Sequence, residues 1–321
     1  MQITFLADNL AVVTDCPHPA RHQAVCGELA QAGIQSLLVV GDDPTPCPMG
    51  LQGGLWCYVL PLVDDGAPSD YEQQVITDFV SYERKHGRRV GIWTSSDKAS
   101  SLVLEAACRT STSDTTNRIL PSATNSVCCR TYHPDGCDGR LACHAAPIEA
   151  AKQIMATGLI LSKERLTGIA TAELARAGSW GDPADYFEYV CLSRGQCVAP
   201  DIVAMSRQYL RDLSPQQADS DFYPGVRFFF QTAQLFRHER AEFDGIHPVK
   251  VRHNLELMPY LLAVVAPARL PDGSALELNV ATPMAQKIIL LDHHEFMGLS
   301  AWSTAAMNHA ARMVGPADVL L

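Results

Sequence analysis

A chain of 321 residues, 47% apolar and 19% charged, carries more apolar material than one hydrophobic core usually serves, which predicts two compact domains. Its formal net charge of −10 argues against a broad cationic footprint for nucleic acid, without excluding a small basic groove. No window approaches ~18 consecutive apolar residues, so no membrane-spanning helix is expected.

The opening MQITFLADNL is acidic where a secretory signal would be basic, and no small-residue cleavage site follows, so no cleavable leader is expected. Strand-like runs at Ile3–Phe5, Leu10–Val13, Leu37–Val40, Trp56–Leu60 and Val90–Trp93 alternate with helical segments. Ala20–Ala32 has an apolar stripe at Val25, Leu29 and Ala32 and ends at Gly33; Tyr71–His86 repeats the pattern with Val75, Phe79 and Tyr82 and ends at Gly87. This alternation predicts an α/β sheet.

The order of these pieces, from DNLAVV through GIQSLLVV and YVLPLVDDGAPSD to RRVGIWTSSDKASS, resembles dual-specificity protein phosphatases; an α/β domain of another family fits the same pattern. The resemblance implies a phosphate loop of Cys, five residues, then Arg. Here Trp93 replaces the histidine before it, Thr94 stands in the cysteine position and Ser100 in the arginine position. A threonine hydroxyl lacks the low pKa that makes a thiolate nucleophilic at neutral pH, so residues 1–112 read as a catalytically inactive phosphatase-like domain. Asp64 or Asp65 matches the family's acid, and SSDKASS retains backbone donors for an anion.

Thr110–Asn125, TSTSDTTNRILPSATN, is rich in Ser, Thr and Asn and reads as a boundary, with the linker set at 113–127 and a second domain at 128–321. The second domain opens on Cys128, Cys129, His133, Cys137 and Cys143, whose spacings fit zinc poorly and suit thiols in a turn-rich hairpin, so no metal is expected. Eleven cysteines, an odd number spread from Cys16 to Cys197, suggest a reducing compartment.

LACHAAPIEAAKQIMATGLILS, residues 141–162, combines a strand ending at His144 with a helix: Pro147 suits its first turn, Ile148, Ala151 and Met155 form one stripe, and Gly158 sits where a left-handed cap belongs. A histidine there either packs at the strand end or projects into a cleft. His, small residues and an A-x-x-I-x-x-x-G-L helix resemble the first NAD-binding element of ADP-ribosyltransferases, and weaker matches run from about Arg140 to the C-terminus. The resemblance implies an α+β domain in which His144 holds a ribose of NAD and the backbone at Ala145 grips the nicotinamide amide.

A loop is expected at Leu166–Gly168, a helix at Thr171–Ala177 and a strand at Tyr186–Ser193. EYVCLSRG resembles the corresponding strand of DarT-type enzymes, which implies Tyr189 and Ser193 at the nicotinamide pocket and Arg194 on the pyrophosphate; a tyrosine in such a strand is also ordinary core. Beyond the strand Val226–Phe230, RAEF is similar to the segment around the catalytic glutamate of those enzymes and places Glu242 in that role, with Glu295 and Glu277 as alternatives. A carboxylate there stabilises an oxocarbenium-like ribose and orients or deprotonates the acceptor. HPVKVRH, with His247, Lys250, Arg252 and His253, approaches NAD phosphates or, as the simpler reading, forms a solvated edge. Cys143 beside His144 makes no nucleophile–base pair, since adjacent strand residues face opposite ways.

The expectation is an NAD-dependent mono-ADP-ribosyltransferase of toxin or effector type, cytoplasmic or delivered into a host cell without a cleavable leader. The phosphatase-like domain then aids acceptor recognition. The acidic balance favours a protein acceptor; a nucleic-acid acceptor and a non-enzymatic two-domain scaffold are the alternatives.

Overall fold

A computed structural model describes residues 1–41, 50–52, 54–62, 67–94, 100–110, 117–121, 137–169, 183–278, 280 and 282–314. The first sheet contains β1 (Gln2–Ala7), β2 (Leu10–Thr14), β3 (Ser36–Gly41), β4 (Gly50–Gln52), β5 (Leu55–Pro61) and β6 (Val90–Thr94), in the order β1-β2-β6-β3-β5-β4. β2, β6, β3 and β5 run parallel, with β1 and β4 antiparallel at the edges. Every residue of β3 and β5 is buried, as continuous apolar runs must be when helices cover both faces. α1 (Gln23–Gln31) covers one face through Cys26 and Leu29. α2 (Asp70–Lys85) and α3 (Ser100–Cys108) cover the other through Ile76, Phe79 and Val103. β6 stops at Thr94 and α3 starts at Ser100, while Asp64, Asp65 and residues 95–99, where the phosphate loop was expected, lie outside the described residues.

The second half begins with β7 (Leu141–Ala146), α4 (Ile148–Thr157), β8 (Leu159–Leu161), α5 (Lys163–Thr167), β9 (Tyr189–Arg194), α6 (Ala199–Gln208) and α7 (Pro215–Ser220). It continues through β10 (Val226–Gln231), α8 (Thr232–Phe236), β11 (Ala241–Glu242), β12 (Val249–Arg252), β13 (Asn254–Glu256), β14 (Leu261–Pro267), α9 (Thr282–Ala285), β15 (Ile288–Leu291) and α10 (Gly298–Ala311). Seven strands form one sheet in the order β11-β12-β9-β7-β10-β14-β15, antiparallel except for the β14–β15 pair; β13 and β8 pair separately. One face packs Ala142, Val190, Leu192, Phe228 and Val249 against α4. On the opposite face Cys143, Phe229 and Trp302 form a core under α10.

Local signals behave largely as the chain suggests. Gly158 takes the left-handed cap at φ +70°, where a Cβ would be strained, although Pro147 is the N-cap residue and not part of the first turn. β7 runs two residues past His144 because Arg227 and Val226 continue the ladder opposite Ala145 and Ala146. The loop expected at Leu166–Gly168 is instead the end of α5, whose Ser162 caps the Arg165 N–H and whose Gly168 closes the helix in the left-handed region. Thr171–Ala177, Cys128, Cys129 and His133 lie outside the described residues. The fully buried Arg227 on β10 is neutralised by Asp201 on α6, with Nε–Oδ1 at 3.0 Å, and also donates to the Gly195 and Cys197 carbonyls at 2.7 Å each.

α2 joins the two sheets. A Ser69–Glu72 capping box starts it, with the Glu72 carboxylate accepting the Ser69 N–H at 2.7 Å, a device worth about 1 kcal/mol. Its Val75 and Phe79 share one core with Tyr186, Tyr189 and Ile246 of the second half. Tyr71 accepts from Arg194 at 2.7 Å, Tyr82 bonds Asp185, and Arg88 just beyond the helix reaches Asp185 at 2.5 Å. Residues 117–121, within the expected linker, pack against α2. Gln74 accepts the Ile119 N–H at 2.9 Å and donates to its carbonyl at 3.1 Å, while Arg118 pairs with Asp78 and lies 3.5 Å from the Phe243 ring centroid.

The halves approach closely at Gly245, φ +72°, where a Cβ would stand 2.3 Å from the Val75 carbonyl oxygen and 3.0 Å from Phe79. Gly245→Ala therefore forces the loop off α2 as well as straining its backbone, and about 2–4 kcal/mol of stability is lost in urea unfolding. A loss below about 0.5 kcal/mol contradicts this packing.

Candidate functional site

His144 lies on β7, between β9 and β10. β9 pairs with β7 for only two residue pairs, Ala142 with Arg194 and Cys143 with Ser193; β7 continues to Ala146 beside β10 while β9 follows β12. The half-buried His144 ring stands where the strands part and hydrogen-bonds the Cys191 backbone. Burial and then the positive field of Arg207 push the imidazole down to about 4, against a smaller upward pull from the Cys191 carbonyl. The ring is therefore neutral near pH 7. With one N–H spent on Cys191, its other nitrogen is an acceptor, suited to a hydroxyl and unable to form an ion pair with phosphate.

Register separates the other expected residues from this ring. Cys143 pairs with Ser193, and Cys191 pairs with Lys250, which pairs with Glu242. Paired residues share a face and neighbours alternate, so Tyr189, Ser193, Lys250 and Glu242 sit on the face opposite His144. Three strand spacings, roughly 14 Å, separate β7 from β11. Glu242 accepts from Lys85 of α2 at 2.9 Å and hydrogen-bonds Tyr189, whose hydroxyl is raised by burial and then by Glu242. Arg194 is buried and donates to Tyr71, so it serves the contact with α2 and not an open pyrophosphate groove. Ala145 is buried in β7. Glu277 is exposed, and the exposed Glu295 follows β15 at the far edge of the sheet.

HPVKVRH is not a solvated edge. Lys250 is 0% exposed; its Nζ lies 3.1 Å from Asp244 and 3.6, 3.8 and 4.7 Å from the ring centroids of Tyr82, Tyr186 and Tyr189. An ammonium there is compensated by one carboxylate and three aromatic faces. Asp244 also accepts the Ile246 and His247 N–H groups at 2.9 and 2.8 Å and the His247 ring at 2.9 Å. Burial alone would raise this carboxyl, but Lys250 and His247 outweigh it and hold Asp244 well below the usual carboxylate range. Alternation along β12, with Val249 and Val251 on one face, would have placed Lys250 on the other; its aromatic partners, remote in sequence, gave no local signal.

No family model, curated protein or solved structure matches the chain.

The unfolded chain protonates an imidazole below about 6.5, whereas folded His144 stays neutral down to about 4, so its contribution to stability is lost as pH falls through that window, by about 3 kcal/mol at most. Proton NMR, with the resonance assigned against His144→Gln, gives a midpoint near 4 and a flat shift across neutral pH. A midpoint near the ordinary 6.5 shows the ring to be solvated.

Proposed function

We propose that the second half binds NAD where β7 and β9 part and transfers its ADP-ribosyl group to a macromolecular acceptor, a protein by preference given the charge of −10. The observation that carries this reading is the place of His144, two residues before the end of β7 and hydrogen-bonded to the Cys191 backbone, which leaves one ring nitrogen to accept a ribose hydroxyl. The ligand would enter where the β7–β9 ladder ends beside His144. Half-buried Cys191 and Ser193 border that point, and a ligand passing through it leads toward the face that carries Tyr189 and Glu242.

In this reaction the ribose–nicotinamide C–N bond breaks, nicotinamide leaves with the electron pair, and the acceptor forms the new bond at the same carbon. The acceptor's proton passes to Glu242 or to water. Glu242 stabilises the developing ribose cation, which requires it to exchange its Lys85 contact for substrate. The first sheet, joined to this region by α2, contributes acceptor surface in place of phosphatase chemistry.

One observation favours a second reading, a non-enzymatic binding protein: Glu242 is already engaged by Lys85 and Tyr189. Calorimetry with NAD and transfer of labelled ADP-ribose to lysate separate the two. The first reading expects NAD binding that His144→Ala abolishes, together with transfer that Glu242→Gln lowers by about a hundredfold or more while binding persists. Binding without transfer supports the second reading. Absence of NAD binding at millimolar ligand overturns the first.

A further inference from the structure

The turn between β15 and α10 gathers three metal-binding side chains that take no part in the chemistry above. Asp292, His293 and His294 each bring one donor atom within 4.8 Å of the other two. Successive residues of a 3₁₀ turn ordinarily point about 120° apart, so their convergence has a local cause. Asp292 is the N-cap of the turn at φ −72° and ψ 108°, and its carboxylate folds back to accept the His294 N–H at 3.1 Å. Arg269 Nε, 3.7 Å from the other carboxylate oxygen, steadies it.

His293 is only 4% exposed, and its Nδ1 has no hydrogen-bond partner among the described residues. Buried nitrogens of this kind are normally satisfied. Tyr223 meets the ring edge-on at 5.1 Å and Phe222 at 6.5 Å, which fixes its position, but the Tyr223 hydroxyl donates to the Arg269 carbonyl and not to the imidazole. The His293 and His294 ring centroids are 4.0 Å apart.

We propose that Asp292, His293 and His294 bind one divalent transition-metal ion of the zinc class. Two imidazoles and one carboxylate suit Zn²⁺, Ni²⁺ or Cu²⁺, whereas Ca²⁺ and Mg²⁺ take oxygen donors throughout. Three protein donors leave a fourth position to water. The ion would sit in the turn that follows β15, an edge strand paired with β14 among the described residues, and precedes α10.

The test uses the full chain, stripped with chelator and titrated with Zn²⁺ by calorimetry, then with Co²⁺ followed by visible spectroscopy. His294→Ala changes an exposed residue, and Asp292→Asn keeps an N-cap acceptor while removing the charge. Either substitution is expected to remove one Zn²⁺ from the stoichiometry or weaken it by at least about tenfold, since even outer partners of metal ligands carry that much. The Co²⁺ lost with it has d–d bands and no thiolate charge-transfer absorption. The proposal is overturned if millimolar Zn²⁺ does not bind, if both variants bind as the parent does, or if the Co²⁺ they lose is thiolate-ligated.

Discussion

Helix α2 lies between two sheets and must satisfy both. One side closes the parallel sheet through Ile76 and Phe79, and the other meets Tyr186, Tyr189 and Ile246 on the face that α10 covers further along. The helix keeps a partly exposed polar stripe at Gln73, Gln74, Thr77, Ser81 and Arg84, and the charged residues it buries are compensated in place. Glu83 takes Ser36 and Arg88, Asp78 takes Arg118, and Tyr82 and Arg88 converge on Asp185. Burial pushes the Asp185 carboxyl up, but Arg88 and Tyr82 more than reverse it. Breaking such a pair by removing one partner ordinarily costs about 3–5 kcal/mol.

The same constraint shapes the candidate site. Lys250 and Glu242 share a sheet face with Tyr189, and α2 approaches that face with Tyr82 and Lys85. Glu242 is thereby coupled to the first half through Lys85, while His144 looks out from the other face where β7 and β9 separate. The first half reaches the second through the side chains of α2, among them Tyr82 and Lys85.

Much of the fold was legible in the sequence because its signals are local. The apolar runs of β3, β5 and β10, the cap at Gly158 and the stripe of α2 depend on neighbours a few residues away. The strand carrying His144 was legible for the same reason, although it runs two residues further than expected. The burial of Lys250 was not, since Tyr82 and Asp244 reach it from distant points of the chain and a charged run in isolation reads as surface. Nor did sequence reveal that Ser193 and Glu242 face away from His144, because strand pairing decides that, and a change of one residue in register reverses it. Asp292–His293–His294 escaped notice because three adjacent residues converge only through the cap geometry of their turn.

Native-state hydrogen exchange tests most directly whether α2 makes the two sheets one cooperative unit. The account predicts that amides of α2, β5 and β12 open together, with one free energy and one dependence on denaturant. Exchange of α2 and β5 at distinctly lower free energy, with β12 still protected, would contradict it: the first sheet would then unfold alone, and the contacts at Asp185, Gly245 and Lys250 would not be what joins the halves.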